Sequence, residues 1–156
     1  MALKINDKAP DFSLPSSEGG VFTLSKNMAN KPCVLYFYPQ NFTKTCTAEA
    51  CEFRNHFEEF RNLGVSVVGV SQDSVESHLK FKKAYNLPFE LLADEKGEIL
   101  AKYDSNIFAI GGLLGLSKRV TYLLDAKHQI LAVYEGMFEA KEHVMSMLNS
   151  LKKSDK

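Results

Sequence analysis

A cysteine at the start of a predicted helix is the residue of this sequence best placed for nucleophilic chemistry. The apolar run 33–38 predicts a buried central strand, and Pro39 ends that strand because proline has no N–H to donate to a ladder. A helical pattern begins near Thr45, so Cys46 falls in the first turn of a helix. Unpaired N–H groups and the positive end of the helix dipole stabilise an anion there, which favours the reactive thiolate of Cys46.

Two neighbours of Cys46 bear on this chemistry. Thr43 stands three residues before the cysteine, close enough for its hydroxyl to contact the sulfur. Cys51 follows five residues after it, and in an intact helix this spacing separates the two Cα atoms by about 8–9 Å. Since a disulfide needs its Cα atoms within about 7 Å, the two cysteines can bond only if the first helical turn unwinds. Two unrelated cysteines are the alternative interpretation, and the spacing alone does not exclude it.

The rest of the chain predicts strands and helices in alternation, in the order hairpin, β, α, β, α, β, hairpin, α. The first helix carries three phenylalanines on one face and ends at Gly64, and the second has Asp73 and Glu76 as a capping pair. The predicted elements are an extended segment (1–15), strands at 21–24, 33–38, 65–70, 89–93, 118–125 and 129–135, and helices at 45–63, 73–85, 97–103 and from 140, followed by a solvated tail at 152–156.

Three segments in the right order resemble the peroxiredoxin family, and together they span nearly the whole chain. The pattern Pro39-x-x-x-Thr43-x-x-Cys46 resembles the family's active-site motif, and residues 9–14 resemble its N-terminal segment. Arg119, at the start of the run 119–125, matches the family's active-site arginine. A second cysteine five residues after the first, Cys51, resembles the peroxiredoxin Q group, also called the bacterioferritin comigratory protein group.

The resemblance implies a thiol peroxidase that reduces hydrogen peroxide and organic hydroperoxides without a cofactor or metal. In that hypothesis Cys46 attacks the peroxide, Arg119 and Thr43 donate to the reacting atoms, and Pro39 shields the sulfur. The product is a sulfenic acid on Cys46, which Cys51 resolves to a disulfide after local unwinding. An external dithiol protein then reduces the disulfide, and the family's usual reductant is thioredoxin.

The same resemblance, together with the order of elements, predicts the fold. The βαβ portion requires parallel pairing, and the late hairpin adds antiparallel strands. We therefore expect an α/β protein with a thioredoxin-like fold, in which helices flank a central mixed β-sheet and a β-hairpin precedes it. The whole chain, 1–156, is predicted to form one domain.

The remaining candidate residues are interpreted as structural. Cys33 begins an apolar strand and is predicted to be buried and inert. Glu49, three residues after Cys46, has two equally supported interpretations, a partner of the arginine or a helix-start acid favoured by the dipole, and is left out of the catalytic set. No histidine has metal-ligand spacing to a cysteine, so solvated surface positions are expected for His56, His78, His128 and His143.

Composition limits which partners and which cellular compartment are expected. Nineteen basic and nineteen acidic residues give zero formal charge, which offers no electrostatic support for a nucleic acid or an anionic membrane. The N-terminus lacks the apolar core of a signal peptide, and no apolar stretch reaches the length of a membrane span. With three cysteines, an odd number, a reducing compartment is expected, most simply the cytoplasm.

The apolar, glycine-rich segment 106–117 leaves three questions open. A loop packed on the core is the favoured interpretation, and an exposed patch that binds a partner or an organic peroxide is the alternative. A monomer is predicted, with a weak dimer through 106–117 if the patch is exposed. The rival functions are a disulfide oxidoreductase or copper-delivery protein, a glutathione-peroxidase-like enzyme, and a non-enzymatic binding module that uses this segment.

Overall fold

The computed structural model describes residues 3–103, 119–136 and 139–154. Within these ranges the predicted alternation of strands and helices is present. The strands are β1 (Ser13–Pro15), β2 (Val21–Thr23), β3 (Cys33–Phe37), β4 (Ser66–Ser71), β5 (Glu90–Ala93), β6 (Val120–Leu124) and β7 (Ile130–Glu135). The helices are α1 (Leu24–Asn27), α2 (Lys44–Asn55), α3 (Phe57–Asn62), α4 (Val75–Tyr85), α5 (Glu98–Lys102) and α6 (Ala140–Ser154).

Five strands form one mixed sheet in the order β5-β4-β3-β6-β7. β3 and β4 are parallel, as are β4 and β5, because a helix lies between the members of each pair along the chain. β6 runs antiparallel to both β3 and β7. The separate β1–β2 pair is the predicted N-terminal hairpin. The mixed sheet, the flanking helices and the hairpin are therefore confirmed.

β3 lies at the centre of the sheet, and its alternating side chains divide the core into two layers. Val34 and Tyr36 pack with residues of α2, α3, α4 and α6 on one face. Leu35 and Phe37 pack on the other face with the N-terminal hairpin, α1 and α5. All five residues of β3 are buried, which is the burial expected of a continuous apolar run in the middle of a covered sheet.

The predicted helix over 45–63 is wrong in one respect, because it is broken at His56. This residue has φ −104° and ψ 10°, outside the helical region, and separates α2 from α3. Its ring lies between two carboxylates, 3.6 Å from Glu52 and 2.7 Å from Glu59. Gly64 follows α3 with φ +75°, the left-handed conformation that a helix end favours.

Two smaller boundary predictions also need correction. Ser74, not Asp73, caps α4, since its hydroxyl accepts from the N–H of Ser77 at 3.1 Å. Asp73 is occupied instead by the side chain of Ser71 and the backbone of Asn41. At the other end of the chain α6 continues to Ser154, so the lysines of its last turn are helical rather than part of a tail. The segment 106–117 lies outside the described residues.

Candidate active site

Cys46 is the third residue of α2 and is buried, with 1% of its surface exposed. Thr43 is the N-cap residue, and its carbonyl accepts from the N–H of Thr47 at 2.9 Å. Its side chain makes no capping bond, so the N–H groups of the first turn are left for another acceptor. α2 is twelve residues long and directs the positive end of its dipole toward this turn. The predicted position of Cys46 in the first helical turn is confirmed.

Arg119 reaches this turn from the opposite end of the sequence. It directly precedes β6, and the pairing of Phe37 with Val120 places it beside the end of β3 from which the chain leads to α2. Its guanidinium is buried and its Nη2 lies 3.1 Å from Sγ of Cys46. A permanently charged donor at this distance stabilises a thiolate and can follow negative charge as it develops during a reaction.

Glu49 holds the other side of the guanidinium. Nη1 of Arg119 donates to its Oε1 at 2.6 Å, and the carboxylate is fully buried. Burial raises the pKa of Glu49 to about 7, against the opposing charge of Arg119. Because Glu49 lies one helical turn after Cys46, both side chains meet the same arginine.

Of the two interpretations of Glu49, the structure favours a partner of the arginine. The available signal was its spacing from Cys46 on one helix, but that spacing equally suits a helix-start acid. A strand arginine ordinarily pairs with a surface carboxylate, whereas the pair of Arg119 with Glu49 is buried on both sides.

The other predicted site residues are Thr43, Pro39 and Cys51, and their contacts differ from that of Arg119 with the sulfur. The hydroxyl of Thr43 donates to the carbonyl of Gln40 at 3.1 Å, and no hydrogen bond joins Thr43 to Cys46 in the part of the chain that the structure describes. Pro39 is half-buried in the loop between β3 and α2. Cys51 is half-buried farther along the intact α2, and all three cysteines are free thiols.

A buried polar cluster fastens the loop that carries Thr43. The side chain of Asn41 accepts from the hydroxyl of Tyr38 at 2.6 Å and lies 3.0 Å from Nδ1 of His78. The backbone N–H of Asn41 donates to Asp73 at 2.9 Å. His78 in turn lies 2.9 Å from the carbonyl of Leu92, through its Nε2. These contacts tie the loop to α4, to β5 and to the segment between β4 and α4, just before the helix that holds Cys46.

The prediction of four surface histidines is wrong for three of them. His78 and His143 are fully buried and His128 is 8% exposed. Burial is possible because Nε2 of each ring has a backbone carbonyl as its hydrogen-bond partner inside the protein. Cys33 is buried as predicted, and burial raises the pKa of its thiol to about 12. A thiol that stays protonated under ordinary conditions is unsuited to nucleophilic attack.

The described residues contain no group of three or more histidine, cysteine or acidic side chains placed to hold a metal ion. Among the helices described, none is both long and apolar enough to cross a membrane.

Known proteins resemble this chain over most of its length. Residues 5–133 match the model of the AhpC/TSA family. A chloroplastic peroxiredoxin Q from Sedum lineare is 41% identical over 146 residues, covering 92% of this chain and 76% of that protein. The putative peroxiredoxin bcp of Coxiella burnetii is 40% identical over 155 residues, covering 97% of this chain and 100% of that protein. The chain spans 64% to 65% of three other chloroplastic relatives.

A solved structure is similar to this chain in both fold and sequence. The crystal structure of peroxidoxin BcpB from Mycobacterium tuberculosis superposes with a TM-score of 0.88 at 34% identity, covering 97% of both chains. The mixed sheet and its flanking helices thus have the arrangement expected of a thioredoxin-like fold.

Proposed function

The chain belongs to the AhpC/TSA family and is a thiol peroxidase of the peroxiredoxin Q and Bcp group, and from this premise we propose that Cys46 is its peroxide-reducing residue. One observation carries the assignment. The buried sulfur lies 3.1 Å from Arg119 Nη2, in the first turn of a twelve-residue helix. The other two cysteines lack this combination, since Cys33 is buried in β3 and Cys51 lies farther along α2.

The proposed reaction begins with the thiolate of Cys46 and a hydroperoxide. The sulfur attacks the terminal oxygen, an S–O bond forms, and the O–O bond breaks. The departing oxygen takes a proton from solvent, which replaces the one that the Cys46 thiol released on ionising, and leaves as water or an alcohol, while Cys46 becomes a sulfenic acid. Negative charge moves from the sulfur to the departing oxygen, and the fork of donors on Arg119 can bind both positions. The Thr43 hydroxyl can turn from Gln40 to the peroxide, and Pro39 leaves its side of the pocket without a competing N–H.

Cys51 is proposed to resolve the sulfenic acid. Its thiol displaces the hydroxyl from the Cys46 sulfur, which gives a disulfide and water. Both cysteines lie on the intact α2, where their spacing keeps the Cα atoms farther apart than a disulfide allows. The first turn of α2 must therefore unwind after oxidation. The loop before α2, which is held by the hydrogen bond of Asn41 to Asp73, would stay in place while this turn unwinds.

The family implies a hydroperoxide substrate and a thiol reductant. We assign the reductant more narrowly as thioredoxin, whose dithiol would attack the Cys46–Cys51 disulfide and leave both cysteines reduced. A monomer is proposed, with a weak dimer through 106–117 as the alternative, and sedimentation at several concentrations distinguishes the two. The cytoplasm remains the proposed compartment, since the disulfide cycle needs a dithiol pool to complete it.

The test is mass spectrometry of the reduced protein after one equivalent of hydrogen peroxide. We expect a loss of two hydrogens that maps to a Cys46–Cys51 bond, and a trappable sulfenic acid on Cys46 in the Cys51→Ser variant. The matched control is Cys33→Ser, which should form the same disulfide at the same rate. Addition of thioredoxin, its reductase and NADPH should restore the thiols. If Cys46 reacted with hydrogen peroxide no faster than a free thiol does under the same conditions, the assignment of Cys46 would be wrong.

A further inference from the structure

The buried carboxylate of Glu49 has a second neighbour besides Arg119. Its Oε1 accepts from the guanidinium, whereas its Oε2 has no hydrogen-bond partner among the described residues. Nδ1 of His143, on α6, lies 3.6 Å from this Oε2. A buried carboxylate oxygen without a hydrogen bond is unfavourable. The atom that faces it therefore influences whether Glu49 is ionised or protonated.

The orientation of the His143 ring is set by three other contacts. Its Nε2 lies 2.7 Å from the carbonyl oxygen of Gly136, and because a carbonyl only accepts, Nε2 carries the proton. Its Nδ1 lies 2.8 Å from Oγ1 of Thr121, whose hydroxyl therefore donates to the ring. The ring of Tyr134 packs edge-on against it, with centroids 4.7 Å apart. Nδ1 of His143 thus faces Oε2 of Glu49 with its one lone pair engaged by Thr121, and the ring is not free to rotate.

This arrangement governs where a proton can reside beside Arg119. Burial lowers the pKa of His143 to about 4, so the ring is neutral under ordinary conditions. A neutral Nδ1 facing an ionised Oε2 brings lone pairs together, whereas a proton on Oε2 can point toward the nitrogen. The acceptor therefore favours the protonated form of Glu49, in competition with the Thr121 hydroxyl for the same lone pair.

We propose that His143 is a positioning residue for Cys46, which acts by holding Glu49 and setting how far Glu49 neutralises Arg119. When Glu49 is ionised, the guanidinium is shared between the carboxylate and the sulfur. When Glu49 is protonated, the full charge of Arg119 is available to the thiolate and to the departing oxygen. The inference rests on the proposed role of Cys46 and extends the site to a residue of α6 and a residue of β6.

Other ionisable groups also face Glu49 and His143. They belong to β3 and the residue after it, to the residue before β6, to β7 and to the segment before α6. These groups are Tyr36, Tyr38, Arg119, Tyr134 and Glu139, and Cys46 lies on the other side of the Arg119 guanidinium. The test must therefore change His143 without altering them.

The experiment measures the alkylation rate of Cys46 by iodoacetamide between pH 5 and 9, followed by peptide mass spectrometry. In the starting protein we expect an inflection near the ionisation of Glu49, and Glu49→Gln should remove it. His143→Gln keeps a donor for Gly136 but has no acceptor in the place of Nδ1. It should move the inflection to lower pH by about one unit. Thr121→Val frees the Nδ1 lone pair for Glu49 and should move the inflection to higher pH.

Two further variants separate this role from a structural one. His143→Asn keeps an acceptor near the place of Nδ1 and loses the Gly136 contact, so it should retain the inflection that His143→Gln displaces. If His143 only joined α6 to Gly136, Gln would preserve the profile and Asn would disturb it. His128→Gln is the matched control, because its Nε2 also meets a carbonyl at 2.7 Å, that of Met28.

An unchanged profile in His143→Gln, or shifts of the same sign in His143→Gln and Thr121→Val, would overturn the proposal. Alkylation needs no peroxide, so it reads the surroundings of Cys46 even if the peroxidase assignment fails. Loss of disulfide formation with a normal alkylation profile would instead locate the error in the proposed cycle.

Discussion

The replacement of Arg119 by methionine separates the chemistry of this site from its stability. Methionine keeps an unbranched stem as far as the position of Nε but lacks the guanidinium, so the variant loses the donor 3.1 Å from the Cys46 sulfur and the donor 2.6 Å from Glu49. A hydrogen bond to a charged group contributes about 1.5–3 kcal/mol. At 1.4 kcal/mol per factor of ten, loss of the sulfur contact should slow sulfenic acid formation by about 10-fold to 150-fold. Arg119 is also proposed to donate to the departing oxygen, and because the variant loses that stabilisation as well, we expect a slowing toward the upper end of this range.

The same substitution also leaves Glu49 buried without its cation. Breaking a buried ion pair from one side destabilises a protein by about 3–5 kcal/mol. The effect should be smaller here, since a carboxyl whose pKa is already about 7 can take up a proton. The double variant Arg119→Met with Glu49→Gln removes both charges and should recover most of the stability. It should not recover the rate, because no donor returns to the sulfur.

The assay is stopped-flow measurement of sulfenic acid formation in a Cys51→Ser background, with urea denaturation of each variant. Arg54→Met is the matched control. Arg54 lies on the same helix and donates to a backbone carbonyl, that of Tyr85, at 2.7 Å, but it has no contact with Cys46. Its loss should lower stability and leave the rate unchanged. Recovery of the rate together with stability in the double variant would refute the reasoning, since Arg119 would then only hold the fold.

Three further predictions concern stability and the approach to the site. The pKa of Glu49 is raised from 4.5 to about 7, so the folded protein binds a proton that the unfolded chain has already released between these pH values. The free energy of unfolding should therefore be highest below pH 4.5 and fall by about 3 kcal/mol as pH rises through about 7. Glu49→Gln should flatten that fall in urea denaturation between pH 5 and 8. Asn41→Ala should destabilise the protein by about 2–3 kcal/mol and slow Cys46 alkylation, because His78 loses a buried partner and the loop loosens. Gly69→Ala would place a Cβ 2.7 Å from Cζ of Tyr36 and should lower stability by about 1–3 kcal/mol.

Each of these has an outcome that contradicts it. A fall in stability between pH 5 and 8 that persists in Glu49→Gln would assign that fall to another group. For Asn41→Ala, Asn55→Ala at the exposed end of α2 is the control. Equal effects from the two would mean that the buried cluster does not fasten the loop. An unchanged thermal midpoint in Gly69→Ala would show that the Tyr36 ring can move aside.

The elements of the fold were predictable to the extent that their determinants are local. A continuous β-branched and apolar run at 65–70 and a helix with an amphipathic face from 140 each specify their own structure. The break at His56 was not predictable, because the three phenylalanines around it fit the period of one straight helix. Glu52 and Glu59, which contact the His56 ring, also stand at the i−4 and i+3 spacings of one continuous helix, so they give no sign of a break.

The histidines show the limit of reasoning from spacing. A histidine on a helix is equally compatible with solvent and with a buried carbonyl, and only the packing of distant elements decides between them. His78 meets the carbonyl of Leu92 fourteen residues away, and His143 meets Thr121 twenty-two residues away. No local pattern encodes these partners.

The sequence by itself determined that Cys46 would stand in the first turn of a helix after a central strand, because periodicity and a single proline specify both elements. It also determined a mixed sheet, since the order of strands and helices allows few connections. Only the tertiary structure decided what surrounds the sulfur. Arg119 is 73 residues from Cys46 and 70 from Glu49, and it reaches them because β6 pairs with β3 in one register. Such pairing depends on the burial of the whole sheet, so the charge that serves Cys46 is a property of the fold.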